Sequence, residues 1–375
     1  MRPRTILCIA WAVALVYAWP GFLLVDSADQ LLDSRTGTFT DWHPVMMTGV
    51  WSLVGHLFAG PAPMLVLQTG LLLFGSYALL RRTLTDHAAA IAAAAVTLFP
   101  PILATQAVIT SEAQLASFLV AAAAALSSTD RRARYAGIVL AVIACGMRPG
   151  ALVALLPLVL VCGRPWHRAL LLWLATTLVS LGLSHVLVDA RTHRTEIADA
   201  IADISGTTHT KPALPTSDAE RDALLSQHWQ VALDHPGAFL SYRWRRVFAR
   251  HKRENAVYTK AVPSYPRDAV GLRHMEAHSL MQRLLTWPVR LLSHTPLFRP
   301  LVYFVLAIVL GIAGRRSRLV LGLTISAVAY QLSLLVVGAR GEFRDSHWLL
   351  VATALAFTLV LVQRASRDVA HRGGD

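Results

Sequence analysis

Long apolar runs alternate with short arginine-rich breaks along the whole chain. Runs of about 17–25 apolar residues are long enough to cross the hydrocarbon core of a bilayer as helices. The pattern predicts an all-α, polytopic membrane helical bundle of about ten transmembrane helices. The predicted spans are 5–25, 63–80, 88–103, 112–128, 135–147, 150–162, 169–188, 297–314, 319–338 and 347–363.

The arginine clusters predict the orientation, because cytoplasmic loops carry an excess of Lys and Arg. Placing every cluster inside puts both termini in the cytoplasm. It also puts the polar turns outside: the loop 26–62, the turns near 106–112 and 340–347, and the region 189–296. Reading 135–162 as one helix, or 43–59 as a span, would each reverse the orientation of everything downstream.

The same pattern divides the chain into three parts. Residues 1–188 form an N-terminal transmembrane module. Residues 189–296 form an extracytoplasmic region with interfacial helices, and 297–375 hold the last transmembrane helices and a cytoplasmic tail.

Composition supports a membrane protein. The chain has 375 residues, of which 55% are hydrophobic and only 15% charged, with a net charge of +13. Soluble domains carry about 25% charged residues. Arginines at helix ends account for much of the positive charge and no nucleic-acid-binding motif accompanies it, so we expect membrane lipids and no nucleic acid as partners. The cysteines fall inside apolar segments, where small core residues are expected instead of a disulfide or metal site; they are Cys8, Cys145 and Cys162.

Acidic residues follow the first apolar run. Asp26 and Asp29 are one helical turn apart, so their carboxylates can point the same way. They fit a general base, a metal ligand or an ordinary solvated helix end. Whether the protein uses a divalent cation as a cofactor is therefore left open. His43 fits either a substrate phosphate or a structural polar contact.

Two further polar residues lie at predicted external turns. Glu112 opens the span 112–128, where helix capping and catalysis explain it equally well. Arg148 lies at a membrane-depth turn, and irregular backbone at that depth is tolerated where it is buried in protein or lines a cavity. Arg148 can pair with Asp26 or Glu112, or hold a phosphate.

The turn before the last span and one segment of the long external region add candidates. Glu342 and Arg344 suit either a substrate phosphate or an internal ion-pair cluster. Arg243 lies among aromatic and arginine residues in 242–250, a composition typical of a helix on a membrane surface that can gather an anionic lipid. The chain has no HExxH, P-loop, GxGxxG or GxSxG pattern, which disfavours metalloprotease, ATPase, dehydrogenase and serine-hydrolase activities.

Together these positions resemble the GT-C superfamily of integral-membrane glycosyltransferases, which includes protein O-mannosyltransferases and lipid A aminoarabinose transferases. The resemblance rests on an acid after span 1 (Asp26), Thr110-Ser111-Glu112 at span 4, Arg148-Pro149 between short spans, and Glu342-Phe343-Arg344 before a late span. The chain has Asp26-Ser27 where better-known members have an Asp-Glu pair, so Asp26 and Asp29 both stay candidates for the base.

The resemblance implies an activity. Such enzymes transfer a sugar, with inversion, from a polyprenyl-phosphate carrier to an extracytoplasmic glycan, lipid or protein, here at the plasma membrane of a bacterium. With the residues of this chain, the hypothesis is Asp26 as base, Asp29 or Glu112 as its partner, and Arg148, Arg344 or both on the phosphate. A transporter or flippase for lipid-linked glycan is the alternative, although we find no convincing internal repeat.

Overall fold

The structure, a computed structural model, describes residues 1–58, 60–162, 165–188, 194–248, 280–338 and 341–372. Within these ranges every regular element is a helix, and a parallel bridge joins Phe22 to Val108. The all-α prediction is confirmed.

Helices of the first half follow one another closely. Thr110 caps the most buried of them by accepting a hydrogen bond from the Ala113 backbone N–H at 3.3 Å. The ten helices of this half are α1 (Pro3–Ala18), α2 (Val25–Thr36), α3 (Val45–Gly55), α4 (Ala62–Leu80), α5 (Asp86–Leu98), α6 (Pro100–Gln106), α7 (Ser111–Leu126), α8 (Arg131–Met147), α9 (Gly150–Val161) and α10 (Trp166–Leu187).

The second half of the chain holds the region 189–296 and the last long helices. Two 3₁₀ turns, Pro296–Phe298 and Phe343–Ser346, each precede a long helix. The helices here are α11 (Arg194–Thr208), α12 (Asp218–Asp234), α13 (Pro236–Phe248), α14 (Leu280–Leu292), α15 (Pro300–Ala313), α16 (Arg318–Val337) and α17 (His347–Arg372).

Four helical segments in the described residues are long and apolar enough to cross a membrane: α4, α10, α16 and Phe343–Arg364. The pair α5 and α6 is bent by 67° and makes a fifth if it forms one span. Other predicted spans coincide with shorter apolar helices of 10–17 residues, among them α1, α7, α9 and α15. Several apolar helices therefore fit a multi-pass membrane protein, while ten crossings stay a prediction.

The centre of the bundle is α7, which is buried on almost every side. It packs against α4, α8, α9 and α17. Its sequence is apolar all round and rich in alanine, as expected of a helix enclosed by others. Small residues let the neighbouring backbones approach: a Cβ built on Gly137 of α8 would lie 2.7 Å from the Leu126 nitrogen.

This close approach gives a prediction. Replacing Gly137 by Ala should destabilise the protein by about 1–3 kcal/mol, because the backbone of Leu126 has to move. The matched control is Gly182→Ala on α10, where a Cβ meets nothing within 4 Å. Thermal unfolding in detergent compares the two variants, and equal midpoints would contradict the packing described here.

A buried polar network ties the ends of four helices together near the cavity described below. The Gln106 side chain contacts the His347 Nε2 at 2.9 Å and donates to the Ser117 hydroxyl at 2.9 Å. Gln114 donates to the Gln68 side chain at 2.8 Å. Buried polar groups need such partners, especially away from water. The network fixes the first turn of α17 beside the first turn of α7.

The region 189–296, predicted to be extracytoplasmic, is built largely of helices where the structure describes it. Helices α11, α12 and α13 pack on one another, and α13 packs on α16. Tyr242 of α13 lies so close to Gly206 of α11 that a Cβ there would come within 2.0 Å of its ring. Of the segment 242–250, residues 249 and 250 lie outside the described residues.

Candidate functional site

A cavity of about 830 Å³ lies where the first turns of α2 and α7, the break between α8 and α9, and helices α11, α12 and α13 meet. Two predicted site residues, Asp29 and Glu342, are not in its wall but contact residues that are. The predicted site residues in the wall are Asp26, His43, Glu112, Arg148, Arg243 and Arg344.

Asp26 lies in the first turn of α2, where the helix dipole favours a negative charge. Its Oδ2 accepts a hydrogen bond from the Arg344 Nη2 at 3.1 Å. The Nε of Arg344 lies 2.5 Å from the Glu342 Oε2. Arg344 is only 3% exposed, and it joins the two ends of the chain at the cavity wall.

The short turn that carries Arg344 is held by its own side chains. Glu342 and Asp345 form a reciprocal capping box across Phe343–Ser346. The ring of Phe343 is fully buried and lies 5.0 Å from that of Phe298. Burial raises the pKa of the Glu342 carboxyl above its ordinary value, and the guanidinium of Arg344 opposes this effect.

Arg148 occupies the extended break between α8 and α9. Its Nη1 donates to the Asp345 Oδ1 at 3.0 Å and also to the Glu112 Oε1. The Glu112 and Asp345 side chains are 4% and 3% exposed, so one guanidinium serves two buried carboxylates. Of the two pairings predicted for Arg148, the structure has the one with Glu112.

Asp29 lies one helical turn after Asp26 on α2. Its Oδ2 lies 3.5 Å from the Nε2 of His43, which is 4% exposed and contacts Trp42 edge-on. The Asp29 carboxylate therefore contacts His43, while that of Asp26 contacts Arg344. Asp26 is the one in the cavity wall.

The wall of the cavity holds a second charged group, around Arg243. Arg243 is 7% exposed; its Nη2 lies 2.6 Å from the Asp203 Oδ2, and its Nη1 donates to the Leu335 and Val336 carbonyls at 2.6 Å. The His228 Nε2 also contacts the Asp203 Oδ2, at 3.1 Å. Arg243 is thus buried and paired, whereas the sequence pattern predicted a residue on the membrane surface. Sequence reasoning missed Asp203 and His228.

Burial alone would raise the pKa of Asp203, but the hydrogen bonds from His228 and Arg243 lower it below its ordinary value of about 3.8. Because the pKa is lower in the folded protein, the stabilisation is fully present above 3.8 and is lost as the pH falls through the lowered pKa.

The Asp203 group therefore gives a second prediction. Asp203→Asn should cost about 3–5 kcal/mol at pH 7, because Arg243 is left without its buried partner. Thermal unfolding measured across acidic pH should show that the unfolding midpoints of the variant and the natural protein approach each other as Asp203 protonates. If the two midpoints stay equally far apart into strong acid, the ion pair of Asp203 with Arg243 is not the source of the difference in stability.

No protein-family model and no curated protein matches the chain. Two solved structures of one enzyme resemble it. Both are of the Archaeoglobus fulgidus oligosaccharyltransferase. The apo form gives a TM-score of 0.44 at 14% identity over 99% of this chain, and the form tethered to an acceptor peptide with the NVT sequon gives 0.42 at 14% identity over 100%. The chain spans about half, 51%, of the length of that enzyme.

The cavity wall is acidic as well as basic. Besides the predicted residues it includes Asp41, Glu196 and Asp199. Across the described ranges, no group of three His, Cys, Asp or Glu side chains is arranged to hold a metal ion. A divalent cation therefore stays an open question, and no step of the chemistry below depends on one.

The arrangement can perform two chemical tasks in one space. A carboxylate at the wall of a cavity can take a proton from a hydroxyl group bound there. Guanidinium groups at the same wall can stabilise a phosphate that gains negative charge. The carboxylate of this kind in the wall is that of Asp26, and the guanidinium groups are those of Arg148 and Arg344.

Proposed function

We propose that the protein is a membrane glycosyltransferase that transfers a sugar from a polyprenyl-phosphate carrier to an acceptor hydroxyl on the extracytoplasmic side. The acceptor is a cell-envelope glycan, a lipid or a protein, and the anomeric configuration inverts. The proposal places the protein in the plasma membrane of a bacterium, with both termini in the cytoplasm.

One observation carries the proposal: the ion pair of Asp26 with Arg344 stands in the wall of the same cavity as Arg148. A base and two phosphate-binding cations are the groups that this transfer needs. The cavity also has the size expected of a site for a small ligand, about 300–1,000 Å³. Apolar residues at the ends of α10 and α16 form part of its wall, which suits a lipid-linked donor; they are Leu181, Val188, Leu334, Val336 and Val337.

The reaction is a single displacement. The Asp26 carboxylate removes the proton of the acceptor hydroxyl as its oxygen attacks the anomeric carbon. The bond from that carbon to the phosphate oxygen breaks with its electron pair, and polyprenyl phosphate leaves. Attack from the face opposite the leaving group produces inversion, and no covalent sugar–enzyme intermediate forms.

Arg344 has two roles in this scheme. Before substrate binds, its guanidinium holds Asp26 at 3.1 Å and keeps the carboxylate in place at the cavity. When a phosphate enters, the guanidinium is shared between Asp26 and the phosphate, since arginine offers several donors in one plane. Donor binding thus weakens the hold on Asp26 before the acceptor proton is removed.

Arg148 is the second phosphate-binding group. Glu112 and Asp345 fix the position of its guanidinium, so its charge is oriented before substrate arrives. In this scheme Glu112 is a positioning residue for Arg148, while Asp29 positions His43 at the acceptor side.

A genetic experiment tests the proposal. In a strain from which the gene is deleted, we expect lipid-linked sugar to accumulate and one envelope glycan to lose a sugar. The natural gene restores the glycan, and Arg344→Gln does not, because charge on the leaving phosphate is no longer neutralised; removing such a group costs about 10²–10³-fold in rate. Unchanged glycans and lipid pools in the deletion strain would contradict the proposal.

A further inference from the structure

Helix α14 is built with its apolar side facing away from the protein. Leu280, Leu284, Trp287 and Leu291 are 74%, 59%, 65% and 56% exposed. At ~100° per residue these four positions fall within about 60° of one another on the helix circumference. They form one exposed apolar stripe along the whole helix.

The side of α14 that faces the protein is mixed. Gln282, Thr286 and Ser293 are each at most 8% exposed, and Val289 beside them is 1% exposed and belongs to the core. The Gln282 side chain donates to the Trp19 carbonyl at 2.9 Å, and α14 packs on α1 and α6. A helix whose outer side met water would have polar residues on that side. The outward side of α14 therefore suits an apolar surrounding.

The charges on α14 suit an anionic surrounding at the same place. Arg283 and Arg290 are both exposed and lie on the same flank of the apolar stripe. The segment 280–299 contains no Asp or Glu. Arginines beside an apolar stripe with a tryptophan are typical of helices that lie in the headgroup layer of a membrane.

We propose that α14 lies flat in the outer headgroup layer of the membrane and binds anionic phospholipid through Arg283 and Arg290. Its 13 residues extend about 20 Å at 1.5 Å per residue, which is too short to cross the hydrocarbon core. The leucines and Trp287 enter the boundary between headgroups and acyl chains, and the guanidinium groups reach the lipid phosphates. This inference does not depend on the enzymatic activity proposed above.

The experiment uses the full chain in lipid nanodiscs, with its three cysteines replaced by alanine and one new cysteine labelled with an environment-sensitive dye. Leu284→Cys reports on the apolar stripe, and Asp222→Cys on the exposed side of α12 is the matched control. We expect quenching by aqueous iodide to be about threefold or more weaker at 284 than at 222, and lipids with a nitroxide near the headgroup to quench only the dye at 284. Equal iodide quenching at the two sites would overturn the proposal.

A second comparison tests the anionic lipid. Raising the fraction of phosphatidylglycerol in a phosphatidylcholine disc should reduce quenching at 284 by acrylamide, a neutral quencher that the lipid charge does not repel, and Arg283→Gln with Arg290→Gln should abolish that dependence. Equal quenching in the two lipids would contradict a role for anionic headgroups. A photo-crosslinker at 284 that captures a protein instead of lipid would also overturn the proposal.

Discussion

Asp26→Asn should lower the rate of sugar transfer by about 10²–10⁴-fold, since the acceptor hydroxyl then loses its general base. The substitution keeps the size of the side chain and still accepts a hydrogen bond from Arg344. We therefore expect folding and donor binding to persist while transfer is lost. Initial rates in membranes supplied with a lipid-linked sugar measure the effect.

Two variants of the same helix sharpen this comparison. Asp33→Asn is the matched control, because Asp33 lies on α2 outside the cavity wall and should keep nearly full transfer. Asp29→Asn separates the two candidate bases: Asp29 contacts His43, so its loss should weaken transfer less than the loss of Asp26. Full activity in Asp26→Asn together with an inactive Asp29→Asn would assign the general base to Asp29 instead of Asp26.

Arg148→Gln should have the second largest effect of the variants considered, after Asp26→Asn, and should lower both the stability of the protein and its transfer activity. Without the guanidinium, the buried Glu112 and Asp345 carboxylates lose the cation that they share. Breaking such a buried pair costs about 3–5 kcal/mol, which approaches the entire stability of many proteins. Thermal unfolding in detergent measures the loss.

A double variant separates charge repulsion from simple loss of packing. Adding Glu112→Gln to Arg148→Gln removes one of the two uncompensated carboxylates, so the pair of substitutions should be less destabilising than the sum of the single changes. Transfer activity should not return, because the phosphate still lacks Arg148. Strictly additive losses of stability would show that the ion pair does not account for the effect.

Much of the helical framework could be predicted from sequence. Local sequence features predict several of these elements. The hydropathy of the residues predicts the apolar runs of α4 and α16, and an arginine followed by a proline predicts the break at Arg148. The placement of Glu112 after the Thr110 cap is local in the same sense. Local patterns of this kind also predicted that Asp26, Glu112, Arg148 and Arg344 belong to turns at one end of the bundle.

The pairing of these residues could not be predicted in the same way. Asp26 and Arg344 are 318 positions apart, and nothing in either segment specifies the other. Asp203 was missed because it lies in a helical stretch with no motif, and its role depends on His228 and Arg243 arriving from two other helices. Helical spacing alone shows that Asp29 and Asp26 lie one turn apart on α2. It does not show that Asp29 contacts His43, which lies in the loop after that helix.

The most direct test of the central claim is a transfer assay with the purified protein in a sealed proteoliposome. The probe is a polyprenyl-phosphate sugar labelled in the sugar, offered with a mixture of envelope glycans, lipids and peptides as acceptors. We predict that label moves to one acceptor with release of polyprenyl phosphate, and that Asp26→Asn abolishes both. Label that crosses the bilayer still attached to its lipid, with no sugar–phosphate bond broken, would contradict the glycosyltransferase and identify a transporter instead.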